Sequence, residues 1–154
     1  MSRRTLGPIG RIALLVPVLM ALGAVKLGAD LDPRAIAIQM PKDIRWVRNG
    51  GAESAVLVGD PSKPGLYVVL QKWLPHNNSR PHFHPNDRYI TVLSGTWWVN
   101  TGAQYDPEGM KPVPAGSFVT HFAGQIHYDG AKDTECILEI VGMGPATATP
   151  AEAK

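Results

Sequence analysis

The 154-residue chain contains a single cysteine, Cys136, so no disulfide can form within it and a zinc–thiolate cluster has too few ligands. It has no Gly-x-Ser-x-Gly element and no Gly-rich phosphate loop, which removes the usual sequence signatures of serine hydrolases and P-loop nucleotide enzymes. It shows no internal repeat, and beyond residue 41 no stretch carries the 3.6-residue apolar period of a long helix. Acidic residues are missing from the first 29 positions. That segment holds Arg3, Arg4, Arg11 and Lys26, leaving 11 bases against 13 acids in the rest of the chain. The formal charge of +2 therefore belongs to the N-terminal segment. A nucleic-acid-binding role loses its electrostatic support.

What is present begins with that segment. A short basic start leads into the apolar run Ile12–Val25, which contains Pro17 and is too short to cross a bilayer comfortably. Followed by Leu27-Gly28-Ala29 and then Asp30, it reads as an export signal over 1–29, and Arg3-Arg4 suits the bacterial twin-arginine route. An uncleaved anchor helix is the other reading of the same residues. Export predicts a periplasmic or secreted protein with no stable membrane span once the signal is removed.

Residues 30–41 carry Pro33 and Pro41 without a period and read as a linker, with one helical turn in Arg34–Gln39. From 42 to 143, short apolar or alternating runs follow one another: Ile44–Arg48, Ala55–Val58, Leu66–Leu74, Arg88–Leu93, Thr96–Asn100, Ser117–Phe122 and Glu135–Val141. Turn residues such as Asn49-Gly50-Gly51, Ser94-Gly95 and Asp106-Pro107 separate them. Many short strands with this punctuation predict an all-β sandwich or barrel. The Ala-, Thr- and Pro-rich stretch 144–154 reads as a disordered tail. Trp97 and Trp98 are adjacent on one strand, so only one can face inward; the other must meet a loop, the tail or a partner, as in a homodimer.

Five histidines carry the chemistry. His82 and His84, in Pro81-His82-Phe83-His84-Pro85, are two apart and on a strand would aim both imidazoles at one ion. His127 lies about forty residues on, within reach of hairpin pairing. Three imidazoles suit Fe, Zn, Mn, Ni or Cu and leave open coordination positions for water or a small-molecule ligand. His121 alternates with Thr120 and Phe122 into the same region and is a candidate proton donor or base. His76 sits in a polar loop and reads as solvated, while Cys136 reads as a buried structural thiol.

These residues resemble the cupin superfamily. Its first motif, G-x5-H-x-H-x3-E-x6-G, matches His82, His84 and Gly95 in spacing, and its second, G-x5-P-x-G-x2-H-x3-N, matches Gly116, Gly124 and His127. The resemblance covers roughly residues 60–142. It implies a cupin-type β-barrel, that is, a double-stranded β-helix or jelly roll, with a divalent transition metal and a small-molecule ligand. Position 76 is His where the family has Gly, position 122 is Phe for Pro, and position 131 is Ala for Asn. The position of the metal-binding Glu is Arg88, a permanent cation. Three readings follow: a bulge re-aims Asp87 as the carboxylate ligand, the site is a three-His centre, or the metal is lost and Arg88 holds an anion. A three-His centre with an anionic or enolisable guest, on which Arg88 orients an anionic group, leads to a dioxygenase-like oxidoreductase; a non-catalytic ligand- or metal-binding sensor is the competing reading.

Overall fold

The computed structural model describes residues 31–154, so the export segment predicted for 1–29 lies outside the described residues. The chain divides into a unit ending at Ile38 and a unit over Gln39–Lys154. In the first, the Ala35 and Ile36 amides reach back to the Asp32 carbonyl, forming one turn. Among the described residues no helix is long and apolar enough to cross a membrane.

The second unit begins with a 3-10 turn, Pro41–Asp43, and continues entirely in strands. They are β1 (Val47–Asn49), β2 (Ala52–Val58), β3 (Gly65–Trp73), β4 (Asn77–Asn78), β5 (His82–Phe83) and β6 (Arg88–Ser94). After them come β7 (Thr96–Thr101), β8 (Lys111–Pro114), β9 (Phe118–His121), β10 (His127–Ala131), β11 (Cys136–Gly144) and β12 (Thr149–Pro150). One antiparallel sheet runs β1-β2-β3-β11-β6-β9; the other runs β12-β5-β10-β7-β8, with β4 also paired to β10. Two such sheets facing each other make the all-β jelly roll expected from the punctuated runs.

Alternation builds the core between them. In β11, Cys136, Leu138 and Ile140 are buried while their neighbours in the strand are not. They meet Ile90 and Val92 of β6, Trp97 of β7, Tyr67 of β3 and Ala131 of β10. Trp97 is thus the inward indole, and Trp98 faces outward beneath the Lys132 ammonium, 4.5 Å from its ring centroid.

Four strands, β4, β8, β10 and β12, carry no apolar run and escape the sequence reading. β8 contains Pro112 and Pro114 and forms the edge of its sheet, the place where proline is tolerated. β10 is buried at every residue although its sequence is His-Tyr-Asp-Gly-Ala. Its outward Tyr128 is covered by the 104–106 loop, where the hydroxyl accepts the Asp106 amide proton at 2.9 Å. A side chain at Gly130 would meet the Asn77 carbonyl oxygen at 2.3 Å, so glycine is what lets β4 pair there. The last correction is the C-terminal stretch. Read as a disordered tail, it instead forms β12 against β5, because its backbone amides find carbonyl partners on the barrel: Ala151 on Pro81 and Ala153 on Ala103, both at 2.9 Å.

Candidate metal centre

The pairing of strands decides which side chains meet. His127 of β10 is the direct antiparallel partner of His82 in β5, so the two imidazoles share the inner face, 4.6 Å apart between ring centroids. His84, just past the end of β5, brings its ring to 4.9 Å from His82 and 5.2 Å from His127. Opposite them, the inner face of the other sheet presents one polar row, Tyr67, Gly142, Arg88 and His121, aligned across β3, β11, β6 and β9. The next row inward is wholly apolar: Val69, Ile140, Ile90 and Val119.

Hydrogen bonding fixes the imidazole tautomers. Nδ1 of His82 contacts the Arg80 carbonyl at 2.8 Å, Nδ1 of His84 the Thr147 carbonyl at 2.8 Å, and Nδ1 of His127 the Gln125 carbonyl at 3.0 Å. A carbonyl only accepts, so each Nδ1 carries the proton and each Nε2 keeps a lone pair. Those lone pairs converge. Nε2 of His82 and His84 are 3.2 Å apart, and the buried Nε2 of His127 has no protein partner among the described residues. Two lone pairs facing each other at that distance repel unless a cation lies between them. Imidazoles bound at about 2.1 Å in a tetrahedral site place their nitrogens about 3.4 Å apart. The three donor atoms lie within 4.8 Å of one another, so this residue set fits a divalent transition ion.

Arg88 answers the same need for positive charge. Its Nη1 donates to Nε2 of His84, the lone pair a metal would use, so the guanidinium and an ion are mutually exclusive there. Its Nε is buried with no partner, and among the described residues no carboxylate lies within ion-pair distance of it. Burial lowers the Arg88 pKa, while the field of Asp129 acts in the opposite sense.

Asp87 does not join the site. Its carboxylate accepts the Ala123 amide proton at 2.7 Å, and β6 is regular from Arg88, whose side chain faces inward, to Val92, its one register shift falling later, at Leu93. The expectation that a bulge turns Asp87 toward the metal is therefore corrected: the regular pleat that points Arg88, Ile90 and Val92 inward points Asp87 away. The acid that does reach the cluster is Asp129, two residues after His127 on the same face of β10. It is buried, and its Oδ1 accepts from the Ser79 hydroxyl at 3.1 Å. His121, His127 and Asp129 form a second group of donors within 4.8 Å, sharing His127 with the first. The sequence signal for Asp129 was the same two-residue spacing that singled out His82 and His84.

Burial, ahead of the neighbouring cations, depresses the imidazoles: His84 to about 3 and His121 to about 2, with His127 lowered as well. All are neutral at physiological pH, the form that ligates a metal. Stability follows from the same shifts. Between pH 6.5 and about 3, His84 binds a proton only when the chain is unfolded. The metal-free protein is therefore expected to be most stable above pH 6.5. It should lose stability as the solution is acidified, because His84 and His121 take up protons only on unfolding, read as a falling urea midpoint between pH 7 and 5.

Beside the cluster lies a cavity of about 350 Å³. His82, His84, Arg88 and Asp129 form its polar side; Trp73, Leu138 and Ile140 form its apolar side. His76 remains exposed in its loop, at φ 61°. Cys136 is fully buried, its thiol pushed up to about 12 by desolvation, so it is inert.

No protein-family model and no curated protein sequence matches the chain. Solved structures do. The polyketide cyclase RemF from Streptomyces resistomycificus is similar over 77% of this chain and 87% of its own, at 16% identity and a TM-score of 0.64. An RmlC-like cupin from Shewanella frigidimarina is similar over 68% and 87%, at 17% identity and 0.55. The DMSP lyase DddQ from Ruegeria pomeroyi is similar over 72% and 64%, at 14% identity and 0.56. At these identities the likeness establishes the fold alone, and that fold is the cupin double-stranded β-helix.

Proposed function

We propose that this chain is a metal-dependent cupin enzyme that binds one divalent transition ion through Nε2 of His82, His84 and His127 and acts on a small anionic molecule in the adjoining cavity. The observation that carries the proposal is the convergence of three Nε2 lone pairs, each oriented by a backbone carbonyl on the opposite ring nitrogen. When bound, the ion supplies Lewis acidity and, if it is iron, redox chemistry at its open positions. Arg88, released from His84, is the cation that orients a carboxylate or enolate of the guest. His121, neutral and tilted 44° to the His127 ring with centroids 3.7 Å apart, keeps a buried Nδ1 without a protein partner among the described residues and offers the guest a hydrogen bond there. Trp73, Leu138 and Ile140 exclude water from the apolar part of the guest.

The finer reading is an exported, dioxygenase-like oxidoreductase of the periplasm or extracellular space. The basic, then apolar, character of residues 1–29 supports export, and three imidazole ligands that leave coordination positions open for O2 support oxygen chemistry if the ion is iron. A second reading, a non-catalytic sensor or carrier, draws on the Arg88–His84 contact, which gives the metal-free protein a stabilised resting form. Oxygen uptake by the iron-loaded protein over a panel of small carboxylates and enolisable ketones separates them. Uptake with at least one compound supports the oxidoreductase. Tight iron with no uptake and no chemical change in any compound supports the sensor or carrier. Conversion without oxygen supports a lyase- or cyclase-type reaction, as the names of two similar structures suggest.

A further inference from the structure

The segment after β11 is tied along its length both to the barrel and to the imidazoles. Ala146 is pinned by its amide to the Pro61 carbonyl at 2.7 Å and packs on the core. One residue on, the Thr147 carbonyl accepts Nδ1–H of His84 at 2.8 Å. Ala148 and Pro150 then line the cavity, with Pro150 paired to His82 across β12 and β5. The end of the strap is held by the Ala151 and Ala153 amides on the Pro81 and Ala103 carbonyls, each 2.9 Å. Glu152 clasps the Arg80 guanidinium, which lies 3.7 Å over the Tyr105 ring, and the Arg80 carbonyl is the acceptor for Nδ1–H of His82. The strap therefore acts on two of the three imidazoles: directly on His84, and on His82 through the residue whose backbone orients it.

We propose that residues 146–153 are a positioning element of the metal centre, setting the tautomer and direction of His84 and steadying His82 through Arg80. This inference rests on the metal-site reading given above. Carbonyls and amides do most of this, with Glu152 the one charged side chain that the strap itself contributes. A sequence rich in Ala, Thr and Pro is therefore compatible with a specific role. Groups that hold the far nitrogen of a ligating imidazole typically contribute about ten- to a hundredfold to metal affinity.

The test uses the full chain carrying Ala151→Pro and Ala153→Pro, which remove the two anchoring N–H groups and no side-chain contact with the cavity. Zinc(II) affinity is measured by competition with a chelator, folding by circular dichroism, and the His84 tautomer by the 15N signals of its imidazole. The expected result is a folded protein with about tenfold or more weaker zinc binding and loss of the fixed Nδ1–H pattern at His84. A folded variant with freed C-terminal residues, unchanged zinc affinity and an unchanged His84 pattern overturns the proposal. If the double variant does not fold, Glu152→Lys, which sets like charges against Arg80, is judged on the same two readouts. Thr147→Ala retains the carbonyl and is expected to bind zinc as the parent does. Should the parent bind no zinc, the metal-site reading fails by itself, and the His84 signals alone decide whether the strap sets the tautomer.

Discussion

Replacing His127 with alanine is expected to weaken divalent-metal binding roughly a thousandfold. The magnitude comes from removing one of three nitrogens from a site whose total binding energy, by comparison with structural zinc sites, is about 12 kcal/mol, so about 4 kcal/mol is lost. His127 is the residue to choose because it belongs to both donor groups, His82–His84–His127 and His121–His127–Asp129. An ion shifted toward β9 would escape a His84 substitution but not this one. Its Nε2 has no protein partner among the described residues, so truncation frees no hydrogen bond at that atom to complicate the readout. The exposed His76, changed to alanine, is the control and should leave affinity unaltered. Chelator competition gives both numbers. Equal affinities for the His127 and parent proteins would place the ion elsewhere.

Arg88→Glu is expected to act in the opposite direction, tightening metal binding at least a hundredfold while weakening the binding of a small carboxylate to the loaded protein by more than tenfold. Two changes add. The guanidinium that occupies the His84 lone pair is gone, and a carboxylate stands in the row that faces the imidazoles. A unit charge pair about 6 Å apart contributes on the order of 3 kcal/mol at an effective dielectric of 20. Reversing the sign of the charge opposite a divalent ion therefore exceeds the two factors of ten expected. Loss of the Arg88 cation leaves an anionic guest facing Asp129 and the introduced carboxylate, with the metal and the Glu152-paired Arg80 as the remaining positive charges. Calorimetric titration of the zinc-loaded protein with oxalate reads the second effect. If the variant instead binds metal less well while staying folded, Arg88 braces His84 for ligation and does not compete with the ion.

The all-β architecture was legible because most strands have one face on the core. Runs such as Arg88–Leu93 and Glu135–Val141 show the period-2 alternation that burial of Ile90, Val92, Leu138 and Ile140 imposes. β10 was illegible for the reason that makes it functional: its inner face meets the cavity with His127 and Asp129, and its outer face is covered by a loop. The spacing of His82, His84 and His127 sufficed to nominate the imidazoles that the fold brings together. Asp87 was nominated by proximity in sequence to position 88, and a one-residue shift on a regular strand sends it to the opposite face. The part played by Thr147 left no mark in the sequence, since a backbone carbonyl is common to all residues.

The most direct test of a three-imidazole metal centre is elemental analysis of the full-length protein, purified without a chelating tag and compared with its His82→Ala variant. One first-row transition ion per chain in the parent, lost in the variant, is the result the site predicts. A metal-free parent that also fails to take up zinc, iron, manganese, nickel or copper on dialysis would contradict it, leaving His82, His84 and His127 as structural partners of Arg88.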